Sequence, residues 1–186
     1  FLGSHLSMSL IKNHTVVGYD KFNHGRIPDH YIEKIEGNFS DSYKLKKSLE
    51  GVDYVFNFIS SSNPAKSSKD PISDIIHLQT SVNFLNMCCD AGVKKIIYPS
   101  TGGAIYGRCS ENPFKENDPV NPISPYALQK SVIEEYCKLF YNLYGLENVC
   151  LRYFNVFGPR QAGSGPYANV VSSWCENGIK HKNIRL

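Results

Sequence analysis

The sequence contains no apolar run near the length of about 20 residues that a helix needs to cross a bilayer. Its first residues, F-L-G-S-H-L, lack the basic segment of a secretory leader. None of its six cysteines form a C-x-x-C pair, and there is no internal repeat or low-complexity tract. We therefore predict a cytoplasmic protein with reduced cysteines, no membrane partner and no metal site.

An excess of charge of one sign is also missing. Twenty Lys and Arg residues against 17 Asp and Glu residues give a formal net charge of +3, and the basic residues are scattered along the chain. This pattern excludes nucleic acid as the expected partner and leaves a small anionic ligand open. The 186 residues suffice for one domain with its own core.

What the sequence does contain is an alternation of short β-branched or aromatic runs with longer amphipathic runs. This alternation predicts an α/β fold with β-α-β units around a doubly wound parallel sheet. The predicted strands are Thr15–Tyr19, Val52–Ile59, Lys95–Pro99 and Val149–Phe154. The predicted helices are Ser4–Lys12, Ser42–Leu49, Ile72–Ala91, Pro125–Leu143 and Ala168–Asn177, and Ser60–Ser68 is predicted to be a loop.

Both ends of the chain interrupt this pattern. No strand precedes the first predicted helix, although a Rossmann-like sheet normally begins with one, and the final K-N-I-R-L begins another element. We expect the first strand and the C-terminal substrate region to be absent from this chain. Residues 1–160 would then be a dinucleotide-binding domain, and 161–186 the start of a substrate-binding region.

Gly3 and Asp20 are the first candidates for holding a dinucleotide. A glycine before a helix lets the backbone approach a pyrophosphate, although Gly3 can equally be an ordinary turn residue. Asp20 follows the apolar run Thr15–Tyr19, where a carboxylate can accept the hydroxyls of an adenosine ribose and thereby favour NAD over NADP. A plain strand-end cap is the alternative for Asp20.

Two further strand ends offer cofactor contacts. Asn38 and Phe39 follow a glycine turn and can supply an amide and an aromatic face near an adenine. Phe58 and Ser60, at the end of the next strand, can lie along the pyrophosphate. Strand-end packing is the alternative for both pairs.

The most informative stretch runs from I-Y-P-S-T-G-G-A-I-Y-G to S-P-Y-A-L-Q-K. Ser124 suits the N-cap of a helix and Pro125 its first position, so a helix should begin here. Tyr126 and Lys130 then lie one turn apart on one face of that helix. The strand that precedes it ends in two hydroxyls and breaks at a pair of glycines.

This arrangement suits carbonyl–alcohol chemistry with a nicotinamide, in which a base removes a hydroxyl proton while a hydride leaves carbon. A free tyrosine has a pKa of about 10. We expect the Lys130 ammonium and the positive nicotinamide to lower the pKa of Tyr126 toward neutrality. Lys130 can also hold the nicotinamide ribose, and Thr101 or Ser100 can share the substrate proton.

The spacing Y-x-x-x-K alone carries little weight, because Tyr43 and Lys47 have it too. That copy lies in a lysine-rich run without a hydroxyl-ended strand or a Ser-Pro start, so we predict a solvated helix face. Asn155 follows the strand Val149–Phe154 at the edge where ligands bind in open α/β sheets, unless it is merely a turn former. Tyr153 would face the pocket or the core, and Arg160 the diphosphate or solvent.

Three motifs, S-T-G-G-A-I-Y-G, S-P-Y-A-L-Q-K and L-R-Y-F-N-V-F-G-P-R-Q, resemble the extended short-chain dehydrogenase/reductase family, and most closely its UDP-sugar 4-epimerases. The resemblance covers essentially the whole chain in order. It implies NAD as cofactor, a UDP-sugar as substrate and a homodimer formed through the two long helices. Its implied roles are catalysis by Tyr126, Lys130 and Thr101, cofactor binding by Gly3 and Asp20, and diphosphate binding by Asn155.

The departures from that family bear on the reaction. Family members often carry a Ser or Thr at the place of Gly102, and an asparagine that contacts the cofactor where this chain has His77 and Gln79. Dehydratases and decarboxylases of the family carry an acidic residue beside the strand-end hydroxyl, whereas residues 102–104 are Gly, Gly and Ala. We therefore predict epimerisation of UDP-N-acetylglucosamine or UDP-glucose at C4. A dehydratase or reductase is the first alternative, and a catalytically silent NAD-binding protein the second.

Overall fold

The structure is a computed structural model that describes residues 1–22, 33–60, 63–108, 113–165 and 168–180. Helices and strands alternate along most of the chain. The helices are α1 (Leu2–Leu10), α2 (Ser42–Ser48), α3 (Pro64–Ser67), α4 (Ile72–Asp90), α5 (Gly102–Ile105), α6 (Pro125–Tyr144) and α7 (Val170–Ile179). The strands are β1 (Val17–Asp20), β2 (Glu33–Glu36), β3 (Tyr54–Phe56), β4 (Lys95–Thr101) and β5 (Glu147–Tyr153).

All strand pairs in the described residues are parallel, which confirms the predicted class of sheet. β1 pairs with β2, and β4 lies between β3 and β5 in a separate three-stranded sheet. No hydrogen bond between described strands joins the two sheets. β4 and β5 run in register over seven residues, so Thr101 and Tyr153 end their strands side by side.

The core forms where α4 and α6 pack against each other and α6 packs on β4 and β5. The buried residues of α4 recur every three or four positions, which is the spacing of one helix face. Those of α6 follow the same spacing. The two faces share one apolar cluster with the buried strand β4, of which Ile96 and Tyr98 are 1% exposed. α6 is thereby fixed against the strand that ends in Ser100 and Thr101, and α4 against α6.

Several predicted bounds were wrong in instructive ways. The strand predicted at Val52–Ile59 is only Tyr54–Phe56, because Asn57 turns the chain and accepts a hydrogen bond from the amide of Ile59 at 3.2 Å. The predicted Ser60–Ser68 loop contains α3, which Asn63 caps. α5 begins directly at Gly102, where only a break was expected. The charged strand β2 has no apolar pattern and was not predicted at all.

The described helices and cysteines bear on two of the predictions. No described helix combines the length and the apolar character that crossing a membrane requires. The five described cysteines are free thiols, of which Cys88 and Cys137 are buried as small core residues. Cys109 and the element predicted to begin near the end of the chain lie outside the described residues.

Candidate active site

The start of α6 sets the geometry of the candidate site. Ser124 caps the helix, and its Oγ accepts a hydrogen bond from the amide of Ala127 at 3.2 Å. Pro125 occupies the first turn, as predicted. This start places Tyr126 and Lys130 one turn apart on the face that packs on β4, because residues four apart share a helix face.

Lys130 is held beneath the end of β4. Its Nζ donates a hydrogen bond to the carbonyl oxygen of Pro99 at 2.8 Å and lies 4.7 Å from the ring centroid of Tyr98. The ring centroid of Tyr126 is 5.8 Å from the same Nζ. Burial lowers the pKa of Lys130 to about 8, against the smaller raising effects of Cys150 and Glu134.

Tyr126 does not have the lowered pKa that the sequence led us to expect. Burial raises its pKa, and the negative charge of Asp74 raises it further. The Lys130 Nζ lies 5.8 Å from the ring centroid of Tyr126 and does not offset these two effects. Tyr126 is therefore a neutral phenol at neutral pH in this structure.

The two hydroxyls at the end of β4 differ in accessibility. Ser100 is 5% exposed, and its Oγ makes no hydrogen bond to any described residue. Thr101 is half-buried and ends the strand, and its hydroxyl makes no capping bond to α5. Of these two residues only Thr101 is open to a ligand.

α4 adds the buried side chain of His77 to the surroundings of Lys130. His77 is 5% exposed, packs against Phe39 at a ring distance of 5.5 Å, and its Nε2 makes no hydrogen bond to any described residue. Burial lowers its pKa to about 4, the Lys130 charge lowers it too, and the Asp74 charge opposes both. Gln79 is exposed, so His77 alone of the two has a buried position at the site.

The structure brings some of the predicted cofactor residues together. Gly3 lies in the first turn of α1, and a Cβ there would be 3.6 Å from the ring of Phe58, an ordinary contact. Ser60 is exposed beyond Phe58. Asp20 ends β1 exposed, and its carboxylate accepts a hydrogen bond from the amide of Phe22 at 3.0 Å.

Asn38 and Phe39 have different surroundings in the structure. Asn38 is exposed close to the end of β1, where its carbonyl oxygen accepts a hydrogen bond from the hydroxyl of Tyr19 at 2.8 Å. Phe39 is 8% exposed and packs between His77 and Phe84. The Phe39 ring is thus a core residue without a free face, which favours packing over the adenine contact that the sequence suggested.

The segment after β5 lies against α1. Asn155 and Arg160 are exposed, and Tyr153 is half-buried beside Thr101. A contact between His5 Nε2 and the carbonyl oxygen of Pro159 at 2.8 Å joins this segment to α1. Asn155 thus follows the carboxyl end of β5, as predicted, in a segment fixed to the helix that begins at Gly3.

The second Y-x-x-x-K copy lies on an exposed helix. Tyr43 is 79% exposed and Lys47 is also exposed, so the second Y-x-x-x-K copy is a solvated helix face, as predicted.

Sequence reasoning missed the buried pair of Arg152 and Glu134, whose Nη2–Oε2 distance is 2.7 Å. The Glu134 position, one turn beyond Lys130 on the buried face of α6, was the available signal.

Known proteins resemble this chain over its whole length. The sequence profile of the NAD dependent epimerase/dehydratase family matches residues 1–186. The chain belongs to this family. Its resemblance to UDP-sugar 4-epimerases of the extended short-chain dehydrogenase/reductase type is thereby confirmed, and so is the Rossmann-like α/β fold.

Individual members of the family are similar over nearly the whole chain. A putative UDP-glucose 4-epimerase of Methanocaldococcus jannaschii is 35% identical over 188 residues, which cover 98% of this chain and 61% of that protein. The UDP-N-acetylglucosamine 4-epimerase of Methanobrevibacter ruminantium, solved with UDP-N-acetylmuramic acid, is 32% identical with a TM-score of 0.90, over 98% and 61% of the two chains.

A third relative is solved with the cofactor. The UDP-glucose 4-epimerase of Thermus thermophilus in complex with NAD is 30% identical with a TM-score of 0.89, over 99% of this chain and 61% of that one. The chain therefore spans about three fifths of the length of these relatives. Family membership rests on the whole sequence, and the activity of the complete protein is a separate question.

Proposed function

We propose that this chain is the NAD-binding part of a UDP-sugar 4-epimerase. The observation that carries the proposal is the placement of Lys130 and Tyr126 under the end of β4, in a chain whose family is NAD dependent. Relatives named UDP-glucose and UDP-N-acetylglucosamine 4-epimerases support both the reaction and the class of substrate.

The residues fit NAD in two respects. The buried Nε2 of His77, near Lys130, makes no hydrogen bond to a described residue, and such an atom needs a partner when the site is complete. The nine-residue helix α1 also begins at the predicted phosphate turn. Gly3, Asp20 and Lys130 would then hold the pyrophosphate, the adenosine ribose and the nicotinamide ribose.

When bound, NAD supplies the hydride acceptor and, once reduced, the hydride donor. Tyr126 accepts the proton of the sugar 4-hydroxyl during oxidation and returns it during reduction at the opposite face of C4. Thr101 holds that proton in a hydrogen bond between substrate and phenol. The neutral phenol of the unliganded protein becomes the base only beside a positive charge, since burial and Asp74 raise its pKa.

Between the two half-reactions the 4-keto sugar must turn over while the nucleotide stays fixed. We propose that Asn155 donates to the diphosphate from the end of β5, with Arg160 and Tyr153 beside it. Asn155 and Arg160 are exposed and Tyr153 half-buried, which supports their access to a ligand. The fixation of this segment on α1 supports a rigid anchor during rotation of the sugar.

The chemistry of elimination finds no support at this site. A dehydratase needs an additional acid and base near the sugar. Gly102, Gly103 and Ala104, which follow the strand-end hydroxyls, carry no carboxylate. Buried Asp74 lies on α4 rather than at the end of β4, and we assign it no role in elimination.

The most direct test incubates full-length protein separately with UDP-glucose and UDP-N-acetylglucosamine. We expect the C4 epimer of at least one of them to form without net consumption of NAD or NADH. Nuclear magnetic resonance of the sugar ring distinguishes the epimers. Formation of a 4-keto-6-deoxy sugar, or no reaction of either substrate, would contradict the proposal.

A further inference from the structure

Two buried side chains of opposite charge lie one turn apart on α6. Lys130 and Glu134 are each 4% exposed, on the helix face that packs on β4 and β5. Residues four apart on a helix are neighbours, and a lysine and a glutamate at this spacing form ion pairs. Within the part of the chain that the structure describes, however, Lys130 forms no ion pair with Glu134 or with another carboxylate.

Glu134 is bound instead by Arg152 of β5. Nε of Arg152 donates to the two carboxylate oxygens at 3.1 and 3.2 Å, and Nη2 donates to Oε2 at 2.7 Å. The planar guanidinium matches a carboxylate in this geometry, whereas an ammonium offers only a point charge. Both oxygens of Glu134 are thereby occupied by Arg152.

The Arg152 guanidinium is itself fixed on its other side. Nη1 donates to the hydroxyl of Tyr106 at 2.8 Å and to the carbonyl oxygen of Glu116 at 3.0 Å. Tyr106 is 5% exposed, and its ring centroid lies 5.1 Å from the guanidinium carbon. All three guanidinium nitrogens therefore donate to groups of the protein, and Arg152 cannot turn away from Glu134 without breaking several hydrogen bonds.

The ammonium of Lys130 is directed at a neutral acceptor. Its Nζ donates to the carbonyl oxygen of Pro99 at 2.8 Å, 4.7 Å from the ring centroid of Tyr98 and 5.8 Å from that of Tyr126. A carbonyl oxygen carries no net charge, so this hydrogen bond leaves the positive charge of Lys130 without a counterion. A carboxylate that reached Nζ would remove that charge from the site.

We propose that Arg152 is a positioning residue for Lys130: by binding both oxygens of Glu134, it keeps this carboxylate from neutralising the Lys130 ammonium. The inference rests on the proposed function, in which Lys130 holds the nicotinamide ribose beside Tyr126. Arg152 acts through Glu134 and does not itself contact substrate or cofactor.

Glu134 is the one carboxylate among the described titratable groups that act on Lys130. These groups are Glu134 and Tyr126 on α6, Tyr98 on β4, Cys150 on β5 and His77 on α4. The counterion that Arg152 holds is therefore the local source of negative charge that bears on the cofactor site.

The activity test compares two variants of full-length protein. Arg152→Met removes the guanidinium and keeps an unbranched side chain. We expect the rise of kcat with pH to move upward by about one pH unit and kcat at pH 7 to fall about tenfold, because Glu134 then pairs with Lys130 and the Tyr126 proton leaves less readily. Adding Glu134→Gln should restore most of the loss, because an amide carries no charge.

Affinity for NADH gives a readout that does not depend on turnover. The reduced nicotinamide is uncharged, so NADH reports the contact of Lys130 with the ribose. In fluorescence titrations of protein freed of nucleotide, we expect Arg152→Met to weaken NADH binding at least about threefold. Arg152→Met/Glu134→Gln should bind NADH nearly as the wild type does.

Two controls separate this role from a structural one. Tyr106→Phe removes one hydrogen bond of Arg152 but leaves Glu134 bound, so the pH profile of kcat should not move. Lys138→Met frees Glu135, which lies next to Glu134 but on the exposed side of α6, and should change neither kcat nor NADH binding. If Arg152 only stabilised the fold, adding Glu134→Gln would restore neither quantity.

The inference would be overturned by a folded Arg152→Met variant with wild-type kcat and NADH affinity, or by equal losses with and without Glu134→Gln. If Arg152→Met does not fold, Arg152→Lys takes its place, since one ammonium cannot reproduce the bidentate contact. Its smaller shift of the pH profile should again be reversed by Glu134→Gln, and an unreversed shift would overturn the inference. A wild type that forms no C4 epimer would refute the proposed function instead, and NADH affinity would still test the role of Arg152.

Discussion

Burial is the dominant electrostatic influence on single residues at this site. Burial raises the pKa of Tyr126, lowers that of Lys130 to about 8 and lowers that of His77 to about 4. In each case burial disfavours the charged form of the side chain. The site of the unliganded protein is therefore one in which ionisation is costly. In the proposed function, a bound cationic cofactor would oppose the effect of burial on the Tyr126 phenol.

His77 offers a direct test of that view through stability. The groups that face it are Lys130, Asp74 and the ring of Phe39. Its folded pKa lies below that of the unfolded chain, so the unfolded chain binds more protons between pH 6.5 and about 4. We predict that stability falls as pH decreases through this window, by up to about 3 kcal/mol from His77 alone.

The measurement is urea unfolding of full-length protein at several pH values between 7 and about 4. His77→Gln should remove the part of the pH dependence that His77 causes, while the exposed His14→Gln should leave the profile unchanged. If the stability of His77→Gln depended on pH in the same way as that of the wild type across this window, His77 would not be held neutral by burial.

At the scale of elements, sequence predicted those whose cause is local. α6 begins where Ser124 and Pro125 require, and α4 was located to within one residue because its nineteen positions contain no Gly or Pro and lie between Pro71 and Gly92. β2 was missed because its stability comes from pairing with β1 and not from its own E-K-I-E sequence. The stacked rings of Tyr106, Phe114 and Phe154 likewise join residues far apart in the chain, which no local pattern specifies.

The ion pair that joins α6 to β5 should contribute strongly to stability. Glu134 and Arg152 are 5% and 20% exposed in their side chains, so Glu134→Ala leaves the largely buried Arg152 guanidinium without its counterion. We predict that Glu134→Ala lowers the free energy of unfolding by about 3–5 kcal/mol.

The exposed pair of Asp53 and Lys94 provides the control. Its side chains are 57% and 68% exposed, so Asp53→Ala should cost much less stability than Glu134→Ala. Both variants are measured by urea denaturation of the full-length protein. Similar losses for the two variants would mean that burial does not strengthen the Glu134–Arg152 pair.

For the whole molecule, the N-terminal turns of the two long helices expose apolar side chains. On α4, Ile72, Ile75 and Ile76 are 58–61% exposed, and Leu128 on α6 is 54% exposed. Grouped apolar side chains of this kind indicate an interface. We propose that full-length protein is a homodimer in which α4 and α6 of the two copies pack together.

This proposal predicts that Ile75→Asp converts the dimer into a monomer at micromolar concentration, because it would bury a carboxylate in an apolar interface. Ile179→Asp, on the exposed surface of α7, is the matched control and should remain dimeric. Light scattering coupled to size exclusion measures both masses. A wild-type protein that is monomeric and active would refute the proposal.

The central claim is that Tyr126, held beside Lys130 under the end of β4, is the base of a reaction dependent on NAD. It is tested most directly by the kcat of full-length Tyr126→Phe together with its NAD content, with Tyr43→Phe from the exposed Y-x-x-x-K copy as control. The account predicts a loss of at least about 100-fold with NAD retained for Tyr126→Phe, and no change for Tyr43→Phe. Undiminished epimerisation by Tyr126→Phe would contradict it.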